Sequence, residues 1–562
     1  MMKHSRFDTS LAGLLALGLS LPVLAEPAGA LDPTFDSDGK QTIGFDDLAS
    51  QDNASTDDGA YAMELAPGGR IYLAGAVRRS ENDKAIGLTR LKHDGSVDTS
   101  FGEQGRILHD IVAGVNFVIG SALQPDGKLV VAGYARPNGN NSELMVCRFD
   151  THGARDPSFG NPQTSPMGCQ LFPGLLTNVV NSVFVQSNGQ IVLAGLKSSS
   201  SAMLVRLDVD GTLDTQFGDA GVYQTPAQYD GNFRDVTQLS DGDLVAVGHT
   251  FIPQSNEMDV LIVRLDQNGD PDLGFGPDGI KTVAISQAVT ETRRRDYATG
   301  VHRLAGDALL VTGLMRTDYS EDSYFSYRPF ALKLQPNGQL DAGFGGGIRT
   351  YNPCPLQEVD CSIETNSSFM FDDGRFLLAG SYLISTTPND GFPVMDFFAM
   401  RLLSNGEPDP DFGSQAPGME GTTVLDFGLL EPAKSKDYAD VVLADGERIL
   451  LAGSAARPPE GNQQSNHSDF AVARLDHGLD QTFEVSSESI GNGMLSPALH
   501  QNVVHSDHVE FEVTLLPGYQ VAIDGCGGAL YDNVYTTGAI VADCNVSATF
   551  KRVHLFSDSF GP

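Results

Sequence analysis

Residues 144–160 read LMVCRFDTHGARDPSFG. A strand-like apolar run ends at Arg148, a turn follows, and the segment closes on RDPSFG at 155–160. The same closing pattern returns as VDTSFG (97–102), LDTQFG (213–218), PDLGFG (271–276), LDAGFG (340–345) and PDPDFG (408–413). A first copy, LDPTFD, starts at Leu31, and a last, LDQTFE, at Leu479. Eight boundaries enclose seven units, with phenylalanine spacings of 66, 58, 58, 58, 69, 68 and 71 residues. Recurrence of this kind is the mark of a repeat architecture.

Inside each unit the order is constant. The second unit shows a short strand at 106–110, a longer one at 117–124, Asp126-Gly127, then KLVVAG (128–133). A variable loop and LMVCRFD (144–150) follow. The mid-unit turns are Gly68-Gly69, Asp126-Gly127, Asn188-Gly189, Asp241-Gly242, Gly306-Asp307, Asp373-Gly374 and Asp445-Gly446. Six of them are the pairs that type I′ hairpins need, because both central residues want positive φ. The flanking runs are rich in Val, Ile and Leu, and no comparable stretch has helical periodicity. A single twisted sheet cannot bury both faces, so neighbouring sheets must stack and the ring must close on itself. This predicts an all-β fold: a seven-bladed β-propeller of four-stranded antiparallel blades over 26–484. Its repeats start near 31, 97, 155, 213, 271, 340 and 408.

The boundary motif, the AG hairpin and the arginine strand together resemble the delta-60 repeat, a β-propeller repeat of bacterial exported proteins. The resemblance runs from Leu31 to Phe483. It implies the fold and export, and little about activity.

The flanks differ from the body. Lys3, His4 and Arg6 precede an apolar run, Leu11–Leu24, that ends at Val23-Leu24-Ala25. This is the layout of a signal peptide (1–25) cleaved after Ala25. The run is shorter than the roughly 20 residues a membrane span needs. The expected destination is periplasm, cell surface or medium. Beyond 484 the rhythm stops, and HVEFEVTL alternates so that Val509, Phe511 and Val513 share one face. Gly491-Asn492-Gly493, Ser496-Pro497, Gly518-Tyr519, Cys526, Cys544 and Ala548-Thr549-Phe550 make 485–562 resemble a divergent internalin B-repeat. The resemblance implies a small surface-associated β domain stapled by Cys526 and Cys544. The six cysteines fall as local pairs: Cys147 and Cys169, Cys354 and Cys361, Cys526 and Cys544. An even count without C-x-x-C in an exported chain favours disulfides over metal. If Cys147 and Cys169 bond, their strands lie side by side.

Acidic side chains number 72 against 36 basic ones, for a net charge of −36. That excludes a nucleic-acid binder, which needs a basic face, and disfavours anionic lipid.

The units also serve as an internal comparison. A basic residue recurs before the Leu or Phe of each unit's last run, at Arg90, Arg148, Arg206, Arg264, Lys333, Arg401 and Arg474. The boundary aspartates Asp98, Asp156, Asp214, Asp272, Asp341 and Asp409 follow eight residues later, and Asp480 six residues after Arg474. Buried arginine needs a partner, so these read as structural ion pairs. The glycine of each AG pair reads as a close backbone approach.

Singular residues then carry function, on loops held by the ring. The loop after each AG strand is the most variable. It holds Tyr134 and Arg136 in unit two, and Tyr319, Tyr324, Phe325 and Tyr327 in unit five. Tyr382 and Phe392 follow in unit six, and Arg457 in unit seven. Clustered on one face, they suit an extracellular protein or glycan. DVDGTLD (208–214), DQNGDPD (266–272) and FDSDG (35–39) crowd oxygens as calcium loops do, yet the turn chemistry explains them. His500, His505 and His508 offer a zinc-like spacing. No cofactor or resident metal is expected. No catalytic motif appears. The reading is a non-enzymatic binding, adhesion or scaffold module. The alternative is a glycan lyase or hydrolase with unrepeated His, Arg and carboxylates at the channel mouth.

Overall fold

The computed structural model describes residues 27–553 apart from 49–57, 81, 138–141, 176–178, 198–200, 254–256, 287–294, 319–325, 355–360, 385–393, 415, 431–435, 459–466, 480 and 499. The proposed leader, 1–25, lies outside this range. No described helix is long and apolar enough to cross a membrane.

The repeats fold into four-stranded antiparallel sheets, and the chain is a β-propeller. In the first sheet Gly59–Ala66, Arg70–Ser80, Asp83–Leu91 and Arg106–His109 pair in order. In the second, Gly114–Leu123, Leu129–Pro137, Glu143–Phe149 and Cys169–Phe172 do the same. Five further sheets begin with Val179–Val185, Gly231–Gln238, Tyr297–Arg303, Cys361–Met370 and Tyr438–Asp445.

The sheets are out of phase with the sequence units. Arg106–His109 opens the second sequence unit but closes the first sheet, because it pairs with Asp83–Leu91. Each boundary motif is therefore the link between a sheet's third and fourth strands. The shift staggers sequence against structure all round the ring. At the end it leaves the seventh sheet short of a strand, and Lys40–Ile43 supplies it by pairing with His467–Leu475. The last boundary copy leads into the tail. Its strand, Thr482–Gly491, belongs to the tail. The tail thus starts a few residues earlier than the expected 485.

Hydrophobic cores lie between neighbouring sheets. Leu129 and Val131 of the second sheet pack with Ile86 and Leu88 of the first. Leu450 and Val472 of the seventh pack with Leu73 and Val77 of the first, which closes the circle.

The repeated motif is the rivet between sheets. Arg148 bonds Asp156 at 2.9 Å through Nε, sits 4.7 Å from the Phe159 ring, and donates to the Val209 carbonyl of the next unit at 2.6 Å. Arg90 does the same with Asp98 (2.8 Å), Phe101 and the Thr151 carbonyl. Arg206 repeats it with Asp214 (2.7 Å), Phe217 and the Gln267 carbonyl. Arg264–Asp272, Lys333–Asp341 and Arg401–Asp409 are 3.1, 3.5 and 2.7 Å apart. Phe35, Phe101, Phe159, Phe217, Phe275 and Phe344 each pack under the glycine of the next turn: a Cβ on Gly211 would meet the Phe159 ring at 2.5 Å. The seventh arginine departs from the expected partner. Arg474 pairs with Asp32 at 2.8 Å, because the strand it must secure comes from the amino-terminal segment. Asp480 lies outside the described residues.

The mid-unit turns also differ from expectation. Only Gly68-Gly69 and Gly306-Asp307 have positive φ at both residues. Elsewhere the glycine alone is left-handed, as at Gly127, where Gly127 N bonds the Gln124 carbonyl and Gln124 N the Lys128 carbonyl. That is a type I turn closed by a left-handed glycine, a three-residue loop.

All three expected disulfides form. Cys147 and Cys169 face each other directly across the third and fourth strands of one sheet, with Cα atoms 4.0 Å apart. The tail holds two four-stranded sheets around Val485, Phe511, Val513 and Val546. It docks on the mid-unit turns of the seventh and first sheets. Arg448 meets Asp507 at 2.6 Å, His508 Nε2 meets Asp445 at 2.6 Å, and Arg70 lies over the Tyr531 ring at 3.7 Å.

Candidate functional site: the channel ring

The first strand of every sheet lines a central channel. Each of these strands carries a β-bulge at the same height. The cause is the AG glycine on the neighbouring strand. A Cβ on Gly133 would lie 1.9 Å from the Phe117 carbonyl oxygen, and one on Gly248 1.9 Å from that of Asn232. Only glycine lets the first strand approach so closely, and the strand bends to accommodate one extra residue.

The extra residue points into the channel. Around the ring it is Tyr61, Ile119, Asn181, Arg234, Thr299, Asn366 and Asp440. The glycine recurs, whereas the residue it presents changes almost every time. Together they line a cavity of about 190 Å³. Two residues earlier, on the same side of the strand, come Phe117, Asn232, Tyr297, Glu364 and Tyr438. Two larger hollows, of about 740 and 720 Å³, border the mid-unit turns. The channel differs from both in drawing residues from every first strand.

The ring is electrically lopsided. Arg234, on the fourth sheet, touches the amide oxygen of Asn181 at 3.5 Å and has no carboxylate partner among the described residues. It is far from bulk solvent although its side chain faces open space in the channel, and this enclosure lowers its pKa. Arg234 and Arg295 flank buried His249, whose pKa falls to about 3, chiefly through burial. His249 and Tyr297 stack edge to face at 5.1 Å, and Tyr297 bonds Tyr327. The seventh and sixth sheets bring Asp440 and Glu364. Burial alone raises Asp440 to about 7 and raises Glu364 as well, and no described donor satisfies either side chain. Both carboxyls act on the Tyr438 phenol. Thr299 Oγ1 also has no hydrogen-bond partner among the described residues.

One step deeper, polar groups tie the sheets together. Asp235 accepts from Ser182 Oγ at 2.9 Å and from Val301 N at 2.9 Å. Ser121 Oγ donates to Glu64 at 2.8 Å. Burial raises Asp235 to about 6 and Glu64 to about 7.

The loop candidates divide. Tyr134 stacks on Phe117 (5.3 Å), which in turn meets Tyr61 (4.9 Å), so this aromatic row leads from loop to channel. Arg136 lies over the Tyr134 ring. Tyr327 reaches the channel through Tyr297. Tyr382 is not a loop contact: it is 4% exposed, in the core between the fifth and sixth sheets. Arg457 is spent on Asp46 and Asp469, which fasten the seventh sheet to the amino-terminal loop. Tyr319, Tyr324, Phe325 and Phe392 lie outside the described residues.

The channel ring escaped the reading of the sequence, although a signal was present. Tyr61, Ile119, Asn181, Arg234, Thr299 and Asn366 each stand fourteen residues before Gly75, Gly133, Gly195, Gly248, Gly313 and Gly380. Asp440 stands thirteen before Gly453.

The oxygen-rich turns use their carboxylates locally. Asp210 accepts from Thr212, Asp214 holds Arg206, and Asp266 caps Asn268 and Asp270. Asp38 caps Lys40. His500, His505 and His508 take separate partners, Glu484, Ser506 and Asp445. The carboxylates of Asp396, Asp426 and Asp437 do converge within 4.8 Å, with Asp437 occupied by Phe427 N.

Comparison with known proteins fits this architecture. A β-propeller domain family of unknown function, DUF5122, matches residues 67–101, 124–159, 186–217 and 239–275. Among solved structures, the propeller domain of the Trilobed protease from Pyrococcus furiosus is 11% identical, covering 70% of this chain and 89% of that one, with a TM-score of 0.33. The α-L-arabinofuranosidase Arb93A from Fusarium graminearum, in complex with an iminosugar inhibitor, is 8% identical, covering 80% and 98%, with a TM-score of 0.35. At such scores neither likeness bears on activity. Over 109 residues the chain is 33% identical to the 3-isopropylmalate dehydratase small subunit of Bacillus pumilus (strain SAFR-032). That stretch is 18% of this chain and spans about half, 52%, of that protein's length.

Proposed function

We propose that the protein is an exported, non-enzymatic binding propeller that takes a polar ligand at the loop-side end of its channel. One observation carries this reading. The sheets share their rivets, yet the bulge position presents six residue types in seven places. Repetition is enough for a scaffold, whereas a site needs difference. The three disulfides support an oxidising, extracytoplasmic setting. The aromatic row Tyr61–Phe117–Tyr134 extends the site towards the loop face, where a glycan or protein chain would continue.

Ligand-observed NMR with a panel of sugars, amino acids and small organic acids tests this. Hits should vanish with N181A/N366A and survive C526S/C544S in the tail. Hits that survive the channel variant but are lost with Y134A would move the site to the loops.

A second reading is an enzyme acting on extracellular glycan at the same mouth. Asp440, protonated up to about pH 7, is suited to general-acid work. Product peaks growing with time, and absent in D440N, would favour it over simple binding.

A further inference from the structure

The ring's lopsided charge narrows the ligand class. Acidic groups outnumber basic ones two to one in this chain, 72 to 36. The buried rim arginines Arg90, Arg148, Arg206, Arg401 and Arg474 each hold a carboxylate within 2.9 Å. Arg234 holds none among the described residues and faces the cavity. Asp440 faces the same space without a described cation or donor, whereas Asp235 and Glu64, which also line it, are bonded to Ser182, Val301 N and Ser121. A cation on one wall of a cavity and a carboxyl group on another, each without an ion pair among the described residues, suit a ligand that carries both charges.

The two sides do not neutralise each other. Arg234 stands on the fourth sheet and Asp440 on the seventh, with two sheets between them one way round and three the other. They face each other across the channel and form no ion pair. Amides from Asn181 and Asn366 lie between the two poles, one on either arc. We propose that the channel is a socket for a small zwitterion of the amino-acid type. Its carboxylate meets Arg234 and its ammonium meets Asp440. This rests on the channel-binding reading and adds the charge pattern of the ligand. A ligand with opposite charges at its two ends satisfies both poles at once. A ligand with one charge leaves the other pole unpaired.

The probe is a graded series of ω-amino acids, from glycine to 6-aminohexanoate, titrated into the full chain by calorimetry. Hexanoate and hexylammonium are the single-charge controls. One chain length should bind best and report the span between the poles. Each control should bind about thirtyfold more weakly, the fold-change expected when one partner of an enclosed charge pair is lost. R234Q and D440N should each bring the best amino acid down to the level of the controls, with melting curves showing both variants folded. Equal binding of hexanoate and the amino acid, with D440N unaffected, would leave a channel that binds anions and would overturn the zwitterion. If no series member binds while a sugar from the broader panel does so through the channel residues, the zwitterion fails and the channel reading stands. If nothing binds through the channel residues, both fail.

Discussion

The rim and the channel of this propeller are built by opposite rules. At the rim, arginine, aspartate, phenylalanine and glycine recur and meet in the same way. Arg148 and Arg206 each bond an aspartate eight residues on and a carbonyl in the next unit. In the channel the repeated element is the glycine on the second strand, and the residue it pushes inward varies. Closure of a ring demands equivalent joints, whereas recognition demands inequivalent side chains. One short repeat supplies both by confining variation to the bulge.

The comparison breaks first at the seam. Asp32 is fully buried between Arg474 and Arg448, at 2.8 and 3.0 Å. D32A takes the carboxylate from Arg474 and one of the two from Arg448, and should cost about 3–5 kcal/mol in urea denaturation. A loss under about 1 kcal/mol would show that the rim pairs do not hold the ring.

Next comes the bulge glycine. G248A places a Cβ 1.9 Å from the Asn232 carbonyl oxygen, and backbone must move. Overpacking of this kind costs about 1–3 kcal/mol. It should also displace Arg234 and abolish channel binding, while an unchanged affinity would separate the bulge from the site.

Asp440 sharpens the contrast through pH. Its folded pKa, about 7, lies above the ordinary 3.8 because burial disfavours the charge. Between these values the native state holds an extra proton, so stability falls as pH rises through the window. The slope is up to about 1.4 kcal/mol per pH unit. D440N should remove that share, read as the difference between wild-type and variant melts from pH 4 to 8. Glu64 and Asp235 contribute slopes of the same sign and remain in both. The rim runs the other way. Asp98 and Asp214 are held below the ordinary carboxylate range: burial opposes this, but hydrogen bonds and arginines outweigh it. Their stabilisation is complete above the unfolded value and is lost as pH falls through the folded one.

The smallest effect belongs to Arg234. R234Q removes no ion pair, so stability should move by less than about 0.5 kcal/mol. A loss as large as that of D32A would make the ring structural and dissolve the comparison.

The propeller fold was legible because its causes are local. Strand length, turn glycines and the spacing of Arg148 to Asp156 are properties of neighbours in the chain, and repetition amplified them. The cysteine pairs were legible for the same reason. The turn type was misjudged because Asp126-Gly127 serves two geometries, and loop closure by the Gln124 backbone selects between them. Tyr382 and Arg457 looked like loop residues by position, yet core packing and ion pairing had claimed them.

Two matters were decided only in three dimensions. The phase of the sheets depends on which strand Arg106–His109 and Lys40–Ile43 find, and such pairing joins residues as distant as Lys40 and Ala473. The channel ring depends on a bulge made by close approach of two backbones, which leaves in sequence only the glycine that permits it. Local chemistry therefore determined what each unit is. Long-range backbone pairing decided where it ends, which strand faces the axis, and that Arg234 and Asp440 look into one cavity.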